Sequence, residues 1–174
     1  MKTIAGIALV ITGILTAIYH IRPFAIFLTM AITAGTTAYH FCMRLLVGGI
    51  FDRVLNNRVD PNRKWFQVGK VEQKLYEILK VKRWKSYLPT YDPDAFDKRQ
   101  HTWGEIAGAM CQAELIHETI AALSFLPILA SMWFGAPLVF IVTSLCAALF
   151  DLTFVMIQRY NRPRVLKILD MERL

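Results

Sequence analysis

The sequence of 174 residues lacks the patterns that mark several large classes of protein. Its cysteines, Cys42, Cys111 and Cys146, are widely spaced in apolar stretches, so they form neither a metal-binding motif nor a disulfide framework. The net charge of +7 comes with no nucleic-acid-binding motif, and neither an internal repeat nor a nucleotide-binding glycine motif is evident. These absences favour an anionic membrane surface or a phosphorylated ligand as the partner of the basic charge, and no nucleic acid.

Long apolar runs are what the sequence has in abundance. Hydrophobic residues make up 55% of the chain, a fraction typical of an integral membrane protein. The first run could be the core of a signal peptide, but no small-residue cleavage site follows it, which favours a helical hairpin with the second run. Pro127 predicts a kink in the third run. We predict transmembrane helices at about residues 4–19, 24–48, 105–133 and 138–158.

The composition changes between the second and third runs. Residues 52–103, the connector, hold twelve of the twenty Lys and Arg residues and seven acids, a local net charge of +5. We expect its first half to lie in the membrane interface, anchored by Trp65, Tyr76 and the basic cluster at 82–85. The apolar residues of that half recur at helical spacing, which predicts an amphipathic helix: Phe66, Val71, Leu75, Ile78 and Leu79.

The placement of basic residues predicts the topology. The connector and the segment after the fourth run hold seventeen of the twenty, whereas the turn between the first two runs holds only Arg22. Because short loops rich in Lys and Arg stay cytoplasmic, both termini and the connector are predicted to be cytoplasmic. The expected fold class is therefore an all-α membrane protein, a single integral membrane domain over residues 1–174. It has four transmembrane helices, with a basic amphipathic cytoplasmic connector between helices 2 and 3.

A carboxylate and an imidazole stand three residues apart at the start of the third run, in Ala113-Glu114-Leu115-Ile116-His117. Ionisable groups are costly inside a membrane segment, so such a pair is a candidate functional site. The two residues share a helix face, and Glu114 could orient His117 as a general base. The alternative is a structural pair that joins helices. No second histidine cluster or cysteine pair completes a metal site with Glu114, His117 and Glu118, so no metal is expected.

Depth along the third and fourth helices can be counted from the turn between them. Both helices rise about 1.5 Å per residue, so residues equidistant from residues 135–136 lie at similar depth. His117 is then level with about Phe154, and Glu114 with about Ile157, beside the segment Gln158-Arg159-Tyr160-Asn161-Arg162. Asp151 lies about one turn deeper than His117 by the same count. The arginines could be a stop signal for insertion, but Gln158, Tyr160 and Asn161 add directional donors.

The second run carries two polar residues near its end, His40 and Arg44, four residues apart on one face. They could be a structural histidine with a snorkelling arginine, or part of a site. We count them, with Glu118 and Asp151, as possible site residues.

These motifs resemble the glycosyl-4,4'-diaponeurosporenoate acyltransferase family. The resemblance is carried by Ala-Glu-Leu-Ile-His at 113–117, by Gln-Arg-Tyr-Asn-Arg-Pro-Arg at 158–164 and by Trp84-Lys85, and it extends loosely over residues 65–169. It implies a small multi-pass protein of the bacterial cell membrane that esterifies a sugar hydroxyl of a glycosylated carotenoid acid, the last step towards staphyloxanthin. The chain departs from the family pattern at Cys111-Gln112 and at Glu118, which leaves the substrate open.

The expected function is therefore acyl transfer from a thioester donor to a hydroxyl of a glycosylated lipid or carotenoid. His117 would be the base, polarised by Glu114, and Asn161, Arg159 or Gln158 would stabilise the oxyanion. No cofactor is expected to be tightly bound; acyl-CoA or another acyl thioester is the co-substrate, its phosphates held by Arg162, Arg164, Lys85 and Arg83. The predicted substrate-binding residues are Arg159, Asn161, Arg162, Arg164, Gln158, Tyr160, Trp84 and Lys85.

Two other functions stay open. The chain could be another small intramembrane lipid-modifying enzyme, such as a methyltransferase or a reductase, or a non-enzymatic lipid-binding scaffold. In each of these functions the partners are membrane lipids.

Overall fold

The computed structural model describes residues 1–90 and 92–172 of the chain, and within these ranges the regular structure is helical throughout. Short 3₁₀ helices span Lys64–Phe66, Lys85–Tyr87 and Asp94–Phe96. The α-helices are α1 Lys2–Ile21, α2 Ala25–Leu55, α3 Lys70–Ile78, α4 Val81–Trp84, α5 Trp103–Leu123, α6 Pro127–Phe134 and α7 Pro137–Glu172.

Four helical segments of the described chain are long and apolar enough to cross a membrane. They are Lys2–Ile21, Ala25–Leu55, Trp103–Phe134 and Pro137–Glu172. Large apolar side chains stay exposed along them, for example Val10 at 62% and Met132 at 80%. Apolar surface of this extent suits contact with lipid. The described chain therefore confirms the predicted helical fold and its four segments that are long and apolar enough to span a membrane.

Two helix boundaries differ from the prediction. The third run is not one kinked helix, because α5 ends at Leu123 and α6 begins with Pro127. A proline fits the first turn of a helix, where its missing N–H costs nothing. The predicted span 138–158 lies within a longer helix, since α7 continues through Pro163 to Glu172. The basic segment that follows the predicted span is therefore part of α7.

The chain forms two compact units. Unit 1 comprises Met1–Ile50 and Thr119–Asp151, and unit 2 comprises Phe51–Glu118 and Leu152–Leu174.

Unit 1 contains an ion pair among apolar helices. Arg44 donates to the Asp151 carboxylate and, at 3.5 Å, to the carbonyl of Ala147, and the Asp151 side chain is 1% exposed. His40, one turn before Arg44, is buried, and neither of its ring nitrogens has a hydrogen-bond partner in the described structure. The ion pair with Asp151, and not snorkelling of the guanidinium group to solvent, accounts for the presence of Arg44 in this apolar helix.

In unit 2 a buried glutamine holds the end of α2. Gln112 Oε1 accepts a hydrogen bond from the backbone N–H of Asn57 at 2.7 Å, and Gln112 Nε2 donates to Asp52 at 2.8 Å. Asn56 and Asn57 both adopt the left-handed conformation, with φ of 47° and 57°, which turns the chain out of the helix. The Asn57 carbonyl then lies so close to Gly108 that a Cβ there would be 2.6 Å from the oxygen.

The connector contains a helix, α3, where the periodicity predicts one. The side chains that this helix buries are not the ones that its apolar stripe predicts. Val71 and Ile78 on α3 are 84% and 74% exposed, so the apolar stripe faces outward. Tyr76, which we expected to anchor the helix in the interface, is 5% exposed. That expectation is wrong, because the Tyr76 hydroxyl donates to Glu72 and its ring packs edge-on to Tyr160. The interfacial position of α3 stays a prediction.

The contact at Gly108 makes a prediction about stability. Gly108→Ala should lower the free energy of unfolding of the solubilised protein by about 1–3 kcal/mol, because the methyl group collides with a backbone oxygen that cannot move aside. Thermal unfolding followed by circular dichroism measures it. Gly104→Ala is the control on the same helix, since its Cβ would meet nothing closer than 3.9 Å. Equal stabilities for the two variants would contradict the close contact.

Candidate functional site

Glu114 is the centre of a buried charge network in unit 2. Its side chain has no exposed surface, and each carboxylate oxygen accepts from a different arginine of α7. Arg159 Nη1 donates to Oε1 at 2.5 Å, and Arg162 Nη1 donates to Oε2. Depth counting predicts this neighbourhood, because it places Glu114 beside the 158–162 segment.

The same arginines also contact the connector at residues 65–67. Arg162 Nη2 donates to the carbonyl of Phe66, and the guanidinium lies 5.0 Å from the centroid of the Phe66 ring. Arg159 donates to the carbonyls of Trp65 at 3.0 Å and Gln67 at 3.3 Å. Two guanidinium groups therefore join the 3₁₀ segment Lys64–Phe66 to α5 and α7. Planar guanidinium groups with five donors suit such a junction better than an ammonium does.

Glu72 on α3 supplies the second carboxylate of the network. Arg159 donates to it from Nε at 2.5 Å and from Nη2 at 3.0 Å, in a bidentate pair. Burial alone would raise the pKa of the Glu72 carboxyl, but hydrogen bonds from Arg159 and Tyr76 outweigh it, so that pKa is lowered. Burial and the bond to Glu72 raise the pKa of the Tyr76 hydroxyl, which stays protonated as the donor. Two carboxylates thus balance two guanidinium groups.

His117 lies one turn along α5 from Glu114, and its imidazole stacks on Phe154. The ring centroids are 4.6 Å apart and the planes are inclined by 11°. The count from the turn predicts this depth for His117, and the contact confirms it. The Glu114 oxygens both lie on arginines, so the polarisation of His117 by Glu114 stays a prediction.

Glu118, one of the possible site residues, also contacts the connector. Its carboxylate accepts from the indole N–H of Trp65 at 2.9 Å. This hydrogen bond links α5 to the residue next to Phe66.

Several of the predicted substrate-binding residues lie around Tyr160 on α7. Lys85 Nζ lies 5.1 Å from the centroid of the Tyr160 ring and donates to Asn161 Oδ1 at 2.5 Å. The Arg164 guanidinium lies 3.8 Å from the same ring. Burial, and then the charges of Arg164 and Lys82, lower the pKa of the Lys85 ammonium group.

Other predicted residues take different places. Arg162 is 1% exposed with its donors on Glu114 and Phe66, a geometry that does not suit the proposed contact with a phosphate at the surface. Trp84 donates its indole N–H to the carbonyl of Leu79 at 2.9 Å and thereby closes the turn between α3 and α4. Gln158 is half-buried on α7. His40, Arg44 and Asp151 belong to unit 1.

Sequence reasoning missed the connector's part in the site. Glu72, Tyr76 and the carbonyls of residues 65–67 contact the arginines, yet their pattern in the sequence is only that of an exposed amphipathic helix. The signal that could have found Glu72 is its position four residues before Tyr76, on the face beside the apolar stripe. Within residues 1–90 and 92–172 no group of three His, Cys, Asp or Glu side chains is arranged to hold a metal ion.

The fold and this network define the class: a helical protein with four segments long and apolar enough to cross a membrane, in which a buried carboxylate–arginine network joins residues 65–67 to α5 and α7. The sequence model of the glycosyl-4,4'-diaponeurosporenoate acyltransferase family matches residues 62–171, and the chain belongs to that family. The match contains Glu72, Glu114, His117, Arg159 and Arg162. No curated protein and no solved structure matches the chain.

Removal of the Glu114 charge tests whether the network holds unit 2 together. Glu114→Gln should cost about 3–5 kcal/mol of unfolding free energy, because it leaves the buried Arg162 without its counter-charge. Denaturant unfolding of the detergent-solubilised protein measures the loss. Glu105→Gln on the same helix is the control, since Glu105 is exposed and its carboxylate lies on the loop residues Thr102 and His101. A loss no larger than the control's would contradict the buried network.

Glu72 makes a prediction about acid stability. Its pKa in the folded protein is below the ordinary value of 4.5, so the stabilisation is complete above pH 4.5 and is lost as the pH falls through the lowered pKa. The difference in unfolding free energy between wild type and Glu72→Gln should be constant near neutral pH and shrink below about pH 4.5. Denaturant titrations over a pH series measure it, with Glu77→Gln on the same helix as the control. A difference that grows on acidification would contradict the pairing with Arg159.

Proposed function

We propose that this chain transfers a fatty acyl group from a thioester donor to a hydroxyl of a glycosylated lipid or carotenoid. Membership of an acyltransferase family supports the reaction class. The assignment of this reaction to particular residues rests on the network around Glu114. The two motifs of the family resemblance, 113–117 and 158–164, are the segments that Glu114, Arg159 and Arg162 join.

His117 is the proposed general base. It would take the proton from the acceptor hydroxyl as the hydroxyl oxygen attacks the thioester carbonyl, and a neutral imidazole suits this task near pH 7. The C–S bond then breaks, the acyl group is left on the acceptor oxygen, and the proton passes from His117 to the departing thiolate. The stacking contact with Phe154 supports the role, since it fixes the ring plane.

Asn161 is the proposed donor to the oxyanion. Its Oδ1 accepts from Lys85, which leaves the amide NH₂ group as a donor to a negatively charged oxygen. Arg159 suits that role less well, because its guanidinium already donates to two carboxylates and two carbonyls. Glu114 holds the two arginines, and through them the helix that carries Asn161, in a fixed position.

The proposed setting is a bacterial cell membrane with both termini on the cytoplasmic side. The supporting observation is the distribution of charge, with seventeen of the twenty basic residues in the connector and after residue 158. The acyl tail and the lipidic acceptor would both reach the site from the bilayer.

The base has a direct test. His117→Ala should lower the rate of ester formation by about 10²–10⁴-fold, which is the usual contribution of a general base, and leave membrane insertion and thermal stability near wild type. Membranes that carry the protein are supplied with labelled acyl donor, and the lipid extract is analysed by mass spectrometry. His101→Ala is the control, because His101 lies in the loop before α5.

The same extracts decide between the possible functions. A new esterified glycolipid that depends on the wild-type gene supports acyl transfer and identifies the acceptor. Full activity of His117→Ala would refute its role as base. A methylated or reduced lipid would assign the chain to another reaction class, and no mass change in any lipid would point to a scaffold.

A further inference from the structure

Unit 2 carries a groove beside Tyr160 that is lined by basic side chains. Two adjoining cavities, of about 250 Å³ and 360 Å³, share Tyr76, Glu77 and Tyr160 in their walls, and we call them together the basic groove. Lys80, Lys82 and Arg83 line the first cavity, and Arg159, Arg164 and Lys167 line the second.

Most cations of the groove form no ion pair within the described residues. Of the six that line it, only Arg159 forms an ion pair in the described part of the chain. Lys85 adds a further cation at the Tyr160 ring, and its ammonium group is paired with an amide oxygen and not with a carboxylate. Several positive charges around a concave surface attract a ligand that carries several negative charges.

One feature of the groove favours a phosphorylated nucleotide over a simple polyanion. The Tyr160 ring is not a free stacking surface, because the Arg164 guanidinium lies 3.8 Å and the Lys85 ammonium 5.1 Å from its centroid, and it holds these two cations at the groove. The Glu77 carboxylate lies in both cavities, where it would repel a ligand made only of phosphates but can accept from a sugar hydroxyl or an amino group. A combined volume of several hundred Å³ is the usual size of a small-molecule site.

The groove also adjoins the candidate site. Arg159 lines its second cavity and donates to Glu114, one helical turn from His117. Arg159 therefore belongs both to the wall of the groove and to the network around Glu114.

We propose that the basic groove binds the phosphorylated nucleotide end of the acyl donor, so that the donor is a coenzyme A thioester and not a thioester on a carrier protein. This inference rests on the proposed acyl transfer for the thioester, whereas the nucleotide site rests on the groove alone. Of the phosphate contacts expected from the sequence it keeps Lys85, Arg83 and Arg164 and excludes the buried Arg162, and it adds three lysines that line the groove: Lys80, Lys82 and Lys167.

The test is the binding of coenzyme A to the full-length protein in neutral detergent. Wild type should bind it, and the double variant Lys82→Gln/Arg164→Gln should weaken the binding by about a hundredfold, or about tenfold for each lost charged contact. Lys82 and Arg164 are exposed, so their loss leaves the core intact. The matched control is Lys70→Gln/Lys74→Gln, which removes the same charge from α3 outside the groove and should bind within twofold of wild type.

Three further arms identify the source of the phosphate. Inorganic phosphate should compete weakly with coenzyme A, and nanodiscs containing phosphatidylglycerol should not displace it. If the lipid displaces coenzyme A, or if the double variant binds as wild type does, the inference is overturned. Ester formation from an acylated carrier protein but not from acyl-CoA would overturn it too, while leaving the proposed acyl transfer standing. Binding of coenzyme A without any ester formation would support the nucleotide site in the groove and would contradict the proposed acyl transfer.

Discussion

The buried carboxylate of Glu114, with one arginine on each oxygen, is the interaction on which unit 2 depends. A charged group without solvent contact is tolerated only when every lone pair and every donor finds a partner. Here the partners come from α5, α7, the 3₁₀ segment Lys64–Phe66 and α3. None of these segments can shift far without leaving a charge unpaired, so the network fixes their mutual positions.

Much of the helical frame follows from the sequence, because long apolar runs have few alternatives in a membrane. The depth of His117 also follows, since the rise per residue is constant from the turn to Phe154. The continuation of α7 past Pro163 could not be predicted from local propensity, which disfavours proline inside a helix. Tertiary contacts hold the helix on both sides of the proline, since Arg159 and Arg162 donate to Glu114 before it and Glu172 accepts from the indole N–H of Trp103 after it.

The partners of the charged residues were harder to predict. Helix periodicity places Glu114 and His117 on one face, but it does not show that two guanidinium groups take the Glu114 oxygens. Those partners come from residues more than forty positions away, and the choice between them depends on side-chain reach. Tyr76 shows the same limit: an aromatic residue on an amphipathic helix suits an interfacial anchor and a buried contact equally well.

The motif Gln-Arg-Tyr-Asn-Arg-Pro-Arg does two things because it is helical. Arg159 and Arg162 are three residues apart, about 60° around the axis, and both point into the network. Tyr160 and Arg164 are four residues apart, about 40° around the axis, and lie together at the groove. Asn161 falls between the two faces and is held by Lys85 from the connector. A single helical segment thus carries a rigid buried face and a cationic outer face, and a change in the helix rotation would disturb both at once.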